Sequence, residues 1–366
     1  MIEKNQIFKI YGTDFKEMTK RLLEEAELAS CIGDRRQQIG IKPNLLAPTP
    51  ADYGATTHPE VVAGIIEYLQ EHHFERILLA EGSWVGDKTP EAYEMCGFRD
   101  LCERYGVPFV DTKQDSFHTV NCAGMKISVC DVVRRIDFLI NVPVVKGHCQ
   151  TKVTCALKNM KGLIPDAEKS RFHRKGLHKP IAHLQTAIRQ DFIVADHICG
   201  DLDFEEGGRP VVRNCVMAAR DPVLVDSHVC HLLGYTPDDV PYVRMAENLG
   251  IGSADLSAAE ILNLNTGRAD TEAPFDGQLL DVSYAVDEVD SCSACYASLT
   301  AALYRLEEEG LLAQLDTRIG IGQGMRGRRG HLGVGRCTAD FEISIPGCPP
   351  DEETIYKELK KYICRR

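Results

Sequence analysis

Short apolar runs that stop at a polar or proline-bounded loop recur through the first two-thirds of the chain, the first three separated by helical patterns. Residues 38–46, 76–82, 107–111, 137–142 and 191–196 are such runs. Each is of strand length and apolar; that at 38–46 runs through Pro43, and those at 76–82 and 137–142 end at or meet Gly or Pro. Between them, 61–72 and 92–105 carry helical spacing. The first of these helices is opened by His58-Pro59-Glu60, with proline where a first turn tolerates it. Strands alternating with helices can bury their apolar faces only as a sheet covered by helices. The expected fold is therefore α/β, a largely parallel sheet flanked by helices.

In such sheets, functional loops gather at the carboxyl ends of the strands. Those ends carry Lys42 and Asn44, then Glu81 and Ser83, then Lys146 and His148, then Asp196 and His197. Any one of them alone is an ordinary turn or capping residue. Four ends together suggest one crevice. Charge points the same way. The formal net charge of the 366-residue chain is −12, which argues against a whole-surface nucleic-acid binder. Yet residues 142–179 hold nine Lys and Arg against Asp166 and Glu168, a local +7 that leaves −19 elsewhere. Lys146, Lys158 and Lys161 lie in this island with His148, and a basic island in an acidic protein suggests an anion site. The acidic turn around Asp201, Asp203, Glu205 and Glu206 offers oxygen ligands for a hard cation, although it lacks the calcium-loop spacing. Asp226 falls one turn into the helix that starts after Arg220-Asp221-Pro222.

The last stretch, 277–366, reads as a separate cysteine-rich segment appended to an α/β core of 1–276. Cys292 and Cys295 form a close pair. Cys337 and Cys348 follow singly, the latter in Gly347-Cys348-Pro349-Pro350. Four thiolates suit a 4Fe–4S cluster or a closed zinc site. The single close pair and the proline after Cys348 favour the cluster, since structural zinc commonly uses two close pairs. Glycines from Gly320 to Gly335 allow backbone N–H groups to face sulfide and thiolate. The remaining cysteines, such as Cys96, Cys102, Cys122, Cys130, Cys215 and Cys230, sit among apolar neighbours and read as core filler. Gly320-Ile321-Gly322-Gln323-Gly324 lacks the full dinucleotide fingerprint. A helix runs on from Cys295 through Tyr304, and another occupies 351–363. The Met1-Ile2-Glu3-Lys4 start and the lack of a long apolar run lead to the expectation of a cytoplasmic protein with no membrane partner.

Several of these segments resemble the domain-of-unknown-function family 362. They are Lys42-Pro43-Asn44, Thr57-His58-Pro59-Glu60-Val61-Val62, Glu81-Gly82-Ser83, Lys146-Gly147-His148, Ala156-Leu157-Lys158-Asn159-Met160-Lys161-Gly162 and Asp221-Pro222-Val223, in that order between about Gly40 and Gly234. Members of that family are often described as iron–sulfur proteins, commonly through a ferredoxin-type module. This sequence resembles instead the branch with a close cysteine pair and a Gly-Cys-Pro-Pro ending. It departs from the pattern at Ala182-His183-Leu184, where aspartate before leucine is more usual. The Thr-x-Pro-Glu helix is also similar to the N-terminal domain of nickel-pincer lactate racemases.

Together these readings give one 4Fe–4S cluster on Cys292, Cys295, Cys337 and Cys348. Lys146, His148 and Lys158 are the catalytic candidates. Lys42, Asn44, Glu81, Ser83, Asn159 and Lys161 are candidates for holding a small anionic substrate. The expected activity is redox catalysis or electron transfer, with a donor protein as partner. A non-redox racemase or lyase with a structural cluster, and a carrier or assembly factor without turnover, are the alternatives.

Overall fold

Four of the five apolar runs become strands buried on both faces, while the run at 107–111 forms a half-buried strand at the sheet edge. In the computed structural model the strands in chain order are β1 (Gln6–Tyr11), β2 (Ile39–Pro43), β3 (Ile77–Glu81), β4 (Phe109–Asp111), β5 (Phe117–Cys122), β6 (Met125–Cys130), β7 (Phe138–Val142), β8 (Lys146–His148), β9 (Lys152–Thr154), β10 (Phe192–Asp201), β11 (Pro210–Ala219), β12 (Glu260–Asn263), β13 (Arg268–Ala269), β14 (Val286–Glu288), β15 (Ile319–Ile321), β16 (Leu332–Val334) and β17 (Ile343–Ile345). The structure describes residues 1–202, 205, 207, 210–270, 282–289 and 291–365.

Two compact units form. One comprises Met1–Ser170 and Leu177–Asp276, the other Arg171–Gly176 and Gly277–Arg366. The first is built on a nine-stranded sheet of order β13-β12-β1-β11-β10-β7-β2-β3-β4. β4, β3, β2, β7 and β10 pair in parallel, whereas β11 runs antiparallel to both β10 and β1. The fold is thus α/β with a mostly parallel sheet and helices on both faces. β11 escapes a strand-then-helix reading because it follows β10 as the next element.

One face carries the main core. Ile39, Ile41, Phe138, Ile140 and Val142 pack there with Leu22, Leu23, Val61, Val62, Ile65, Ile66 and Leu69. The last five belong to the helix Pro59–Glu71, which has Pro59 in its first turn and Glu60 beside it. The predicted helix over 92–105 is two helices, Thr89–Met95 and Phe98–Tyr105. Gly97, at φ +76°, separates them in a left-handed conformation that a continuous helix excludes. Alternation along the strands sends Lys42 and Asn141 to the opposite face, which is covered by the helices Ala156–Asn159, His178–Leu184 and Pro222–Leu232.

The second unit has its own four-stranded sheet, β14-β15-β16-β17, parallel throughout. Three-residue strands carry too little alternation to stand out in sequence. Its helices, Ser293–Glu308 and Glu352–Cys364, match the expected positions. Asp351 caps the second, accepting from the Thr354 amide at 2.8 Å.

Candidate active site and metal centre

Lys42 ends β2 on the helix-covered face, 1% exposed. Its ammonium donates to a Glu81 carboxylate oxygen, to Asn159 Oδ1 at 2.8 Å and to the Pro43 carbonyl at 2.9 Å. Gly82 N–H, at 2.7 Å, holds the other Glu81 oxygen. Burial still pulls Lys42 down to about 8, against the pull of Glu81. Gly162 makes this pairing possible, because a Cβ there would stand 1.8 Å from Glu81 Oε1. Asn159 is oriented by Asn141, whose Oδ1 accepts from its Nδ2 at 2.7 Å.

A second cluster adjoins the first through the consecutive residues Lys158 and Asn159. Lys146 is fully buried and donates to the Ala55 carbonyl at 2.7 Å and the Glu205 carbonyl at 2.9 Å. Asn44 reaches the same Ala55 carbonyl at 3.2 Å. His148 Nδ1 accepts from the Gln150 and Thr151 amides at 2.9 and 3.1 Å. The ring proton is therefore left on Nε2, which faces Glu205 Oε2 at 2.8 Å. Lys158 donates to the other Glu205 oxygen and to Thr154 Oγ1 at 3.1 Å. One carboxylate thus lies between a lysine that donates to it and a histidine nitrogen 2.8 Å away that meets it without hydrogen-bond alignment.

Burial sets the protonation here. It pushes Lys146 to about 7. Burial, then the Lys158 charge, pushes His148 to about 4, so the ring is neutral. Lys161, partly exposed, is pulled to about 7 by desolvation and Lys158. Burial alone would raise Glu205, but Lys158, His148 and Lys146 outweigh it and hold the carboxyl well below its ordinary range.

The structure therefore brings together Lys42, Asn44, Glu81, Asn159, Lys146, His148 and Lys158. Ser83 stands apart. Its hydroxyl engages Thr89 Oγ1 at 3.2 Å and the Asp87 carbonyl at 3.3 Å, and only its carbonyl joins the basic residues, through Lys169 at 2.9 Å. Asp226 does not face an open crevice. It is fully buried, raised to about 7 by desolvation, and accepts from the Ala156 and Leu157 amides at 2.7 and 3.2 Å. It thereby fixes the short helix that presents Lys158 and Asn159. Within the acidic turn, Glu205 turns inward to the lysines rather than outward to a cation. Asp203 and Glu206 lie outside the described residues. Glu205 and Asn141 are the two members that sequence reasoning missed. Asn141 was legible as the one amide in an otherwise apolar strand end; Glu205 gave no signal beyond an acidic turn.

In the second unit, the cysteines follow carboxyl ends of the parallel sheet. Cys292 and Cys295 come after β14, Cys337 after β16 and Cys348 after β17. Cys292 is also the N-cap of the sixteen-residue helix Ser293–Glu308, whose N-terminal dipole favours negative charge. Burial, then Cys292, Cys348 and Cys337, push Cys295 up to about 12. Four thiolates in mutual range need a cationic group between them to stay ionised. Among the described residues no three His, Cys, Asp or Glu side chains close on one point as around a single ion. Four cysteine thiols are a donor set that a tetrahedral zinc ion and a 4Fe–4S cluster both accept.

The loop after β15 bears no cysteine. Gln323 Nε2 donates to Cys292 Sγ at 3.2 Å, and Arg326 Nε to Cys337 Sγ at 3.4 Å. Gly322 starts this loop at φ +114°, with its missing Cβ only 2.0 Å from the Val289 carbonyl. The expectation that glycine amides face the sulfurs fails at Gly324 and Gly335. Their N–H groups bond the Val289 and Ile345 carbonyls at 3.0 and 2.8 Å, and side chains meet the sulfurs instead.

Among the described residues, no helix is long and apolar enough to cross a membrane. Across 240 residues the chain is 25% identical to a thylakoid-associated protein of Synechocystis sp., covering 63% of this chain and 71% of that one. Its fold is similar to the lactate racemase apoprotein of Thermoanaerobacterium thermosaccharolyticum, with a TM-score of 0.39, 11% identity and 67% of this chain covered. A protein from Thermotoga maritima gives a TM-score of 0.33, 16% identity and 53% coverage. This chain spans 57% and 52% of the length of those two solved chains. The profile of one family, the Domain of unknown function (DUF362), matches residues 39–231, more than half of the sequence, and the chain belongs to that family.

Proposed function

We propose that this is an iron–sulfur protein that holds one 4Fe–4S cluster on Cys292, Cys295, Cys337 and Cys348 and acts as an oxidoreductase on a small carboxylate substrate. The observation that carries the reading is that four thiols follow the carboxyl ends of three strands of one parallel sheet, two of them hydrogen-bonded by Gln323 and Arg326. When bound, the cluster would supply one-electron chemistry. The chain's own residues would do the rest. Glu205 marks the place where a carboxylate fits between His148 Nε2–H and Lys158. A substrate carboxylate would be recognised by the same two donors, with Lys161 beside them, while Lys42 and Asn159 fix the wall. Lys146, poised near neutral pH, would give or take the proton.

A second reading rests on that same pair. A lysine near 7 beside a neutral histidine supplies an acid and a base, which is sufficient for a racemase or lyase with a structural cluster. Protein purified without oxygen is expected to be brown and to carry about four irons and four sulfides per chain, as this cluster type requires. Stoichiometric zinc without sulfide overturns the cluster. Turnover indifferent to dithionite or ferricyanide selects the second reading.

A further inference from the structure

The segment between β15 and Cys337 concentrates positive charge. Arg326, Arg328, Arg329 and Arg336 fall within eleven residues, and all four are exposed. No Asp or Glu occurs from 325 to 337. Among the described residues none of the four guanidinium groups is in an ion pair, whereas the half-buried Arg305 of the same unit is paired with Glu352 and Glu353 at 3.1 and 2.7 Å. One of the four touches the cysteine group directly: Arg326 donates to Cys337 Sγ at 3.4 Å. Arg336 precedes that cysteine in sequence. At the same end, Cys348 is exposed and Cys337 half-buried.

Unpaired arginines keep a strong field in solution, and a field beside a redox group speeds and orients the encounter with a partner of opposite sign. We infer that Arg326, Arg328, Arg329 and Arg336 form the docking surface for an acidic one-electron carrier protein, which meets the cysteine group at its Cys337–Cys348 edge. The inference rests on the cluster reading above. The exchange is a single electron, lost by the carrier's centre and gained by the cluster, and no bond or proton moves. The arginines outside the sulfur contacts set the affinity and orientation, and Arg326 additionally supports Cys337. A chain of net charge −12 would otherwise repel an acidic carrier, so a local cationic face is what makes such an encounter productive.

The test uses the whole protein and an acidic plant-type 2Fe–2S ferredoxin as the probe. Its dissociation constant is measured by titration calorimetry at low and high ionic strength, and stopped-flow absorbance follows electron transfer. The double variant Arg328→Glu/Arg329→Glu leaves the sulfur contacts alone. It is expected to weaken binding about tenfold or more at low salt and to flatten the salt dependence, as charge reversal in a steering patch does. Lys357→Glu/Lys361→Glu, on the terminal helix, makes the same change in net charge and is expected to leave the constant nearly unchanged. Equal effects of the two double variants overturn the surface, because net charge alone would then be acting. Tighter binding of a single-stranded oligonucleotide than of the ferredoxin also overturns it, as a polyanion site. Binding reads the arginines independently of metal content, whereas iron and sulfide analysis reads the cluster, so the two failures are distinguishable.

Discussion

The Lys146 ammonium has no exposed surface, and its two donor contacts are to backbone carbonyls. Desolvation takes it from 10.5 in an open chain to about 7 in the fold. Between those values the unfolded chain binds more protons than the folded one, so stability rises with pH across that window, and the penalty is full below about 7. The stability of wild type relative to Lys146→Met should therefore rise from about pH 7 to 10, with a slope up to roughly 1.4 kcal/mol per pH unit. Denaturant unfolding at several pH values measures it. A difference that stays flat shows an amine that titrates normally. Sequence pointed to Lys146 from its place after a strand, but not to its protonation, because desolvation depends on what the fold lays over the side chain.

Elements decide which of these residues meet. The helix Ala156–Asn159 is only four residues long, too short to persist on propensity. It is held by Asp226 from a helix some seventy residues later, and so brings Lys158 to Glu205 and Asn159 to Lys42. The Ala-Leu-Lys-Asn run was visible in sequence as a motif; its anchor was not, since Asp226 acts across a long separation. The turn that follows is equally constrained. Gly162→Ala would drive a methyl into the buried Lys42–Glu81 pair, where backbone and both partners are already fixed. A loss of about 1–3 kcal/mol, the usual range for overpacking, is expected in thermal or denaturant unfolding. An unchanged midpoint would mean that the pair relaxes freely and that glycine is not required there.

At the scale of the molecule, two units with separate sheets suggest two sources of stability. The first buries a continuous apolar core of Ile, Leu and Val. The second has three-residue strands packed on a smaller apolar set such as Leu303, Ile319, Leu332 and Ile355, and the proposed cluster would add to its stability. Metal binding to ligands gathered only in the folded state contributes folding free energy directly. Calorimetry of the iron-loaded protein should thus show a transition that moves down when iron is chelated or Cys348→Ser is introduced, while the other transition stays in place. Loss of both transitions together would contradict independent stabilisation. What the residues by themselves determined was the alternation of strand and helix, the polar strand ends and the spacing of the cysteines, because these follow from local period and side-chain chemistry. Tertiary structure alone decided that β11 runs antiparallel inside the sheet, that a second parallel sheet carries the cysteines, that Glu205 enters the basic island and that Ser83 turns away from it. Each of those outcomes depends on a contact between residues far apart in the chain, and local period carries no information about which distant segments pack together.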